Sequence, residues 1–245
     1  MADEINTSLF FPGNASTPAS VGRVLDILEG EPILKPTHAS NDARKRAPYD
    51  RAAATASVTG KTVAGLVLWR TSAPKYSEGY VSANAKNFNW ALFDFASPRE
   101  QHAREILEVW TRAAQQLAPE FGFVHYAWKL GTPESTEYNR GAKTPIKKIR
   151  DHGFRSFGAR NWFGPDLVSL IGKDRLLKLP LTVPTSWGGV QLDLLDEPWN
   201  ASFEALYQRQ QEVIRIFASW GLMGDYKNIS QTLPGPNWTP RLWDC

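Results

Sequence analysis

One stretch decides the fold of the C-terminal half of the chain: residues 159–195, which read ARNWFGPDLVSLIGKDRLLKLPLTVPTSWGGVQLDLL. Within it, Pro165 and Gly172 bracket a predicted helical turn, since proline suits the first helical position and glycine suits the residue that ends a helix. The apolar segments on either side of Gly188 and Gly189 predict a β-hairpin, because paired glycines accept the positive φ angles of a tight turn. The stretch therefore indicates dense local structure, and nothing in it is a catalytic pattern.

Three strands and two helices are predicted outside this stretch. Segments 62–70, 88–95 and 121–129 are rich in β-branched and aromatic residues, which is typical of strands. One helix is predicted after the N-cap Ser97 and another over residues 202–219, because apolar residues recur there at helical spacing. The strands join through short turns and the helices occur singly. We therefore expect an α+β fold, a largely antiparallel or mixed sheet flanked by two main amphipathic helices.

The N-terminal part of the chain carries many residues that interrupt regular structure. Residues 1–56 are rich in Ala, Ser, Thr, Pro and charge, so we predict an irregular N-terminal arm with a short helix or strand at 21–28. Residues 57–245 are expected to form a single α+β domain. Within that domain, the polar segment 131–155 is predicted to be a surface excursion.

Composition narrows the class of protein. The chain has 245 residues, of which 42% are hydrophobic and 22% are charged, as in an ordinary globular protein. The net charge of +3 is too small to indicate a dedicated nucleic-acid binder, and its sign argues against a global mimic of DNA. The first residues show no export signal, no apolar run is long enough for a membrane helix, and the one cysteine is Cys245. We therefore expect a cytoplasmic protein without disulfide bonds.

The residues that carry chemistry form no recognisable site. The sequence contains neither a glycine-rich phosphate loop nor a nucleophile elbow, and its four histidines lack metal-ligand spacing. We therefore expect no enzymatic activity, no metal and no cofactor, and we expect His125 to be a hydrogen-bonded core residue. Asp193, Asp196 and Glu197 are close enough in sequence to act as acid and base. Asp193 alternates with apolar neighbours, however, so a solvent-facing polar strand face is the favoured interpretation.

Basic residues cluster between positions 143 and 160, with aromatic residues interleaved. Cations with aromatic side chains can bind single-stranded nucleic acid, and they can equally meet an acidic protein partner. A solvated surface is the commonest role of such a cluster. The residues alone leave all three interpretations open. The cations are Lys143, Lys147, Lys148, Arg150, Arg155 and Arg160.

The order of motifs in the final third of the chain resembles bacterial polymorphic-toxin immunity proteins, and most closely the immunity protein 52 family. A related group of type VI secretion immunity proteins has a comparable order of Trp, Phe-Gly-Pro and Gly-Gly motifs. The resemblance implies a non-enzymatic α+β protein that binds a cognate toxin in the cytoplasm of the producing cell. The implied toxin carries a restriction-endonuclease-like nuclease domain, which is neutralised by occlusion or by conformational locking. The match also includes the segment 190–194 and the final amphipathic helix. The matching single residues are Asn161, Trp162, Phe163, Gly164, Pro165, Gly172, Arg175, Leu176, Leu177, Gly188 and Gly189.

Two surfaces are candidates for toxin binding under this resemblance. The motif residues themselves are expected to be scaffold, and the leucines of residues 159–195 are expected to fill a core. One candidate is the basic segment from Lys143 to Arg155, which would suit an acidic metal-binding site on the toxin. The alternative functions are a nucleic-acid-binding accessory protein that uses residues 143–160, and a hydrolase with an atypical carboxylate site. The other candidate surface is an acidic cluster beside an aromatic anchor, formed by Asp193, Asp196, Glu197 and Trp199.

Overall fold

The chain folds into two compact units. We call Glu4–Pro119 the N-terminal unit, and Glu120–Cys245 together with Met1–Asp3 the C-terminal unit. Each unit combines helices with an antiparallel sheet, which confirms the expected α+β fold class. The computed structural model describes residues 3–11, 17–42, 44–59, 63–84, 89–96, 100–140, 149 and 152–224. Within these ranges, no helix is long and apolar enough to span a membrane.

The N-terminal unit is built on a sheet of six described strands. They are β1 (Glu4–Phe11), β2 (His38–Ser40), β3 (Ala47–Pro48), β4 (Val63–Arg70), β5 (Tyr76–Asn84) and β6 (Asn89–Ala96). Their order is β3-β2-β4-β5-β6-β1, and every neighbouring pair is antiparallel. The described helices of this unit are α1 (Pro18–Gly30), α2 (Arg51–Val58) and α3 (Glu100–Leu117).

The expectation of an irregular N-terminal arm is wrong, because residues 1–56 supply β1, α1, β2, β3 and part of α2. β1 is buried from Ile5 to Phe11 and lies beside β6, with Ile5 opposite Phe95. Pro18 is compatible with α1 because it occupies the first helical residue, where the backbone N–H has no partner within the helix. Position 56/57 lies inside the N-terminal unit, so it is not a boundary between the two units.

The predicted strands at 62–70 and 88–95 and the helix between 97 and 117 are confirmed as β4, β6 and α3. The apolar stripe of α3 is buried, and its Trp110 ring lies 5.3 Å from the ring of Phe93 in β6. β5 was not expected, because Gly, Ser and Asn dilute its β-formers. The predicted N-cap Ser97 lies outside the described residues.

The C-terminal unit has four described strands and four described α-helices. The strands are β7 (Phe121–Ala127), β8 (Arg160–Phe163), β9 (Thr182–Pro184) and β10 (Val190–Asp193), in the antiparallel order β7-β8-β10-β9. The helices are α4 (Pro133–Arg140), α5 (Pro165–Ile171), α6 (Lys173–Leu176) and α7 (Phe203–Ser219). A single 3-10 turn covers Pro198–Asn200 within the described part of this unit. Because β9 is last in the strand order, it is an edge strand of the sheet.

An aromatic cluster forms the core of the C-terminal unit. Phe154, Phe157, Phe163 and Phe217 are each at most 2% exposed, and the rings of Phe157 and Phe217 are 4.5 Å apart. Phe154 meets Phe163 and Phe217 edge-on, at 5.7 and 5.5 Å. Full burial of one such side chain stabilises the fold by about 2 kcal/mol. This cluster therefore joins β8, α7 and the segment before β8 into one core.

Helix α7 confirms the helix predicted over residues 202–219. Its N-cap is Ser202, whose hydroxyl accepts a hydrogen bond from the backbone N–H of Ala205 at 3.2 Å. Such a cap satisfies one of the backbone donors that the first helical turn leaves unpaired. The inward face carries Leu206, Val213 and Phe217, all fully buried, as the helical spacing of apolar residues predicts.

The predicted helical turn and hairpin in the 159–195 stretch are both present. α5 begins at Pro165 and is followed by Gly172, whose φ of +100° suits glycine. The strands of the hairpin, β9 and β10, are shorter than expected because the chain turns tightly before β9 and after β10. The strand predicted at 121–129 is β7, two residues shorter at its end.

The two glycines of the hairpin have different roles, although the sequence suggests the same role for both. Gly188 has a φ of +87°, which is the left-handed position of a three-residue hairpin loop closed by the Thr185 N–H···O=C Gly189 bond of 2.9 Å. Gly189 has no such φ. It is needed because a Cβ at this position would overlap the carbonyl oxygen of Phe163 in the neighbouring strand β8.

The expected surface excursion over 131–155 is wrong for residues 133–140, which form α4. Tyr138 is fully buried on this otherwise polar helix, and its ring lies 4.4 Å from the ring of His125 and 5.6 Å from the ring of Phe203. The large area that one tyrosine buries is enough to fix a polar helix to the unit. Residues 141–148, 150 and 151 lie outside the described residues.

We expect Gly189→Ala to destabilise the protein by about 1–3 kcal/mol, because the added Cβ must displace either β8 or the hairpin. The control is Gly30→Ala at the end of α1, where no atom lies within 4 Å of the added Cβ, and which we expect to be neutral or slightly stabilising. Urea denaturation of both variants measures the difference. Equal denaturation midpoints for the two variants would contradict this role of Gly189.

Candidate protein-binding surface

A ladder of polar side chains crosses β8 and β10 on one face of the sheet. Arg160 and Asp193 are directly opposite one another, and Arg160 donates from Nε to Oδ1 and from Nη2 to Oδ2, both at 2.6 Å. Each side chain is 14% exposed. Gln191 also donates to Oδ2 of Asp193, at 3.2 Å. The expectation that Asp193 faces solvent is therefore wrong, because strand pairing places a two-pronged cation against its carboxylate.

Trp162 extends this ladder and shows why the motif residues are scaffold. Its side chain is fully buried, and its Nε1–H donates to Oε1 of Gln191 at 3.1 Å. A shift of β8 by one residue would turn Trp162 and Arg160 to the opposite face and break every bond of the ladder. The ladder therefore fixes the register of β8 against β10.

Glu120 is a buried carboxyl that the sequence did not single out. Its Oε1 accepts a hydrogen bond from the backbone N–H of Leu167 at 2.6 Å, near the N-terminus of α5. Burial raises its pKa to about 8, and the nearby charge of Asp166 acts in the same direction, while the backbone N–H groups oppose both effects. A glutamate directly before a strand carries no capping signal in sequence. We interpret Glu120 as a long-range cap of α5, since its backbone carbonyl also accepts from the N–H of Gly164.

His125 lies in the core, as expected. Its ring stacks near Tyr138, and its Nε2 lies 3.4 Å from Oδ1 of Asn139. Burial lowers the pKa of His125 to about 4, so the imidazole is neutral at pH 7. A neutral, enclosed ring of this kind packs the core, and it has no access to a substrate.

An open cleft of about 520 Å³ lies beside α4 and is lined in part by Trp128, Lys129, Ser135 and Asn139. Two of its polar side chains bond the protein's own backbone. Asn139 donates to the carbonyl of Trp128 and accepts from its N–H, and Ser135 donates to the carbonyl of Thr132. Among the described residues, no group of three or more His, Cys, Asp or Glu side chains could hold a metal ion. The polar contacts therefore dock α4 rather than converge on a ligand.

The predicted acidic cluster is only partly on the surface. Asp196 and Glu197 are exposed in the turn that follows β10, and Trp199 is half-buried in the 3-10 turn. Glu197 accepts a hydrogen bond from Nδ2 of Asn200 at 3.0 Å. Asp193 faces Arg160 instead, so the structure does not bring the four residues together as one acidic patch.

Two of the six predicted basic residues, Arg155 and Arg160, lie in the part of the chain that the structure describes. Arg155 is half-buried, and Arg160 is engaged by Asp193. The other predicted cations, Lys143, Lys147, Lys148 and Arg150, lie outside the described residues.

A second surface was missed from the sequence. It lies over residues 173–183, from α6 to the edge strand β9, and we call it the edge surface. Three of its apolar residues are exposed, Leu177 at 38%, Leu181 at 36% and Val183 at 50%. Three of its cations are exposed as well, Lys173, Arg175 and Lys178. The leucines were interpreted as core, although the three cations that flank them over residues 173–178 were the available signal for a mixed surface.

Comparison with known proteins finds a structural neighbour of low sequence identity. No family model matches the chain, and no curated protein matches it in sequence. A solved structure described as the Pseudomonas aeruginosa T6SS protein PA0821 matches with a TM-score of 0.53 and 13% sequence identity. The match covers 93% of this chain and 86% of that chain. The two proteins share a fold. No family model supports the expected resemblance to the immunity protein 52 family.

We expect Asp193→Asn to destabilise the protein by about 2 kcal/mol, because it leaves the largely buried guanidinium of Arg160 without its counter-charge. In the double variant with Arg160→Gln, the loss should be smaller than the sum of the two single losses by about 1–2 kcal/mol. Urea denaturation of the parent, the two single variants and the double variant provides the four free energies of unfolding that this comparison needs. The exposed Asp196→Asn is the control, and we expect it to stay within about 0.5 kcal/mol of the parent. Equal effects at 193 and 196, with no coupling, would show that the ladder does not hold the strands.

Proposed function

We propose that this protein is an immunity protein, which binds and neutralises a cognate toxin secreted by a type VI secretion system. The observation that carries the proposal is the fold shared with a T6SS protein over 93% of the chain. The motif resemblance of the final third supports the same function independently. In this proposal the protein acts in the cytoplasm of the producing cell and catalyses no reaction.

Neutralisation by such a protein needs a rigid surface that covers the toxin. Three buried polar groups of the C-terminal unit have structural roles: Arg160 pairs with Asp193, Glu120 caps α5 and His125 packs the core. These roles favour a binding protein over a hydrolase with a carboxylate site. The net charge of +3 also favours contact with an acidic part of the toxin over mimicry of DNA.

The toxin implied by the resemblance is a nuclease with a restriction-endonuclease-like domain. Metal-binding nuclease sites are rich in carboxylates, since oxygen ligands suit Mg²⁺. A basic surface that covers such a site can exclude both the metal and the nucleic acid. The alternative, an accessory protein that binds nucleic acid through residues 143–160, loses one of its cations because Arg160 is already paired with Asp193.

The proposal predicts that the toxin encoded beside this gene kills a host cell when expressed alone and is harmless when this protein is co-expressed. The physical reason is a tight complex of one copy of each protein, which light scattering of the purified mixture measures. An unrelated nuclease toxin serves as the control and should remain lethal. A protein that neither rescues the cells nor binds the neighbouring toxin would overturn the proposal.

A further inference from the structure

We propose that the edge surface, residues 173–183, is where the toxin binds, and that the toxin meets it with acidic side chains around an apolar contact. This inference rests on the proposed function and specifies the partner that the surface fits.

Three apolar side chains of the edge surface are exposed, although leucine and valine are among the residues most often buried. Val183 is half exposed, and Leu177 and Leu181 are exposed by more than a third, within seven residues of chain. Exposed apolar residues that cluster in this way mark interaction sites more often than isolated ones. Burial of these side chains by a partner would supply the apolar centre that tight interfaces have.

The surface is held rigid from beneath. Leu176 is fully buried and Leu179 is 7% exposed, so two side chains anchor the segment that carries the exposed residues. Thr182 also donates from its hydroxyl to the carbonyl of Leu179 at 2.8 Å, and the N–H of Asp193 donates to the carbonyl of Leu181 at 3.0 Å. A surface that is ordered before binding costs little entropy to immobilise in a complex.

The charges of the edge surface specify an acidic partner. Lys173, Arg175 and Lys178 are exposed, and none of them forms an ion pair with another described residue of the chain. Asp174 is the one exposed carboxylate within residues 173–183, so the surface carries a net charge of +2, three cations less one anion. Cations around an apolar centre are complementary to carboxylates around an apolar centre.

The backbone of β9 favours recognition by side chains over the addition of a strand. Val183 lies opposite Gln191, and the flanking bonds at Leu181 and Thr185 place the backbone groups of Thr182 and Pro184 on the outer side of the sheet. Pro184 has no N–H, so the outer edge offers only one donor within β9, that of Thr182. Proline at this position blocks extension of the sheet, as it does at many natural edges.

Two other occupants fit the edge surface less well. A second copy of this chain, related by a two-fold axis, would bring like charges of Lys173, Arg175 and Lys178 together, which is unfavourable. Single-stranded nucleic acid needs aromatic or guanidinium platforms on which bases stack. Residues 173–183 contain no aromatic side chain, and Arg175 is their one guanidinium, so the surface offers too few platforms to hold a run of stacked bases.

The test measures binding of the catalytically inactivated neighbouring toxin to variants of this protein by calorimetry. We expect Val183→Asp and Arg175→Glu each to weaken binding at least tenfold, because one places a charge in the apolar centre and the other repels the toxin's carboxylates. The matched controls are Leu130→Asp and Arg215→Glu, which change residues of the same type, exposed elsewhere on the C-terminal unit. We expect both controls to bind within about twofold of the parent. Thermal melting confirms that all four variants are folded.

Each outcome decides the inference. Loss of binding in the edge variants alone, with a steeper loss for the parent as salt is raised from low to high, supports it. A parent that binds and rescues while the edge variants bind equally well would overturn the inference and leave the proposed function intact. A parent that binds no toxin overturns both. Self-association or binding of single-stranded DNA that is lost in Val183→Asp would assign the surface to one of the other occupants and overturn the inference.

Discussion

The close packing of Phe154, Phe157, Phe163 and Phe217 is the interaction on which the C-terminal unit depends. These four rings join β8 to α7, and the hairpin approaches the same strand β8 closely at Gly189. Once β8 is fixed, Arg160 must face β10, and its bidentate bond to Asp193 sets the strand register. The position of the outer strand β9, and with it the edge surface, follows from that register.

The same packing determines where function can reside. Two side-chain amides that enter the core donate to the nearby backbone: Asn161 to the carbonyl of Gly158 at 2.9 Å, and Gln210 to the carbonyl of Phe157 at 2.7 Å. Such bonds remove the cost of burying polar atoms and leave them unavailable to a ligand. The buried residues of the motif are therefore scaffold, and the proposed function assigns recognition to side chains at the rim. Val183, beside the buried ladder but half exposed, is one of them.

The sequence predicted the elements whose patterns are local and missed those that depend on distant partners. α3 and α7 were predictable because their signals come from residues close together in sequence: the apolar spacing of both helices and the cap of α7 at Ser202. β1 was missed because its burial depends on pairing with β6, about ninety residues away along the chain. Asp193 was misplaced for the same reason, since its partner Arg160 lies on another strand. The leucines at 177 and 181 were interpreted as core because hydrophobicity alone does not distinguish a core residue from an interface residue.

The central claim is that the motif holds the fold while the outer edge of the sheet meets the toxin. Hydrogen–deuterium exchange of the protein, free and bound to the inactivated toxin, tests it most directly. The account predicts that binding slows exchange over residues 173–184 and leaves the already protected strands β7 and β8 unchanged. Slower exchange confined to the turn at Asp196 and Glu197, with no change from α6 to β9, would contradict the account.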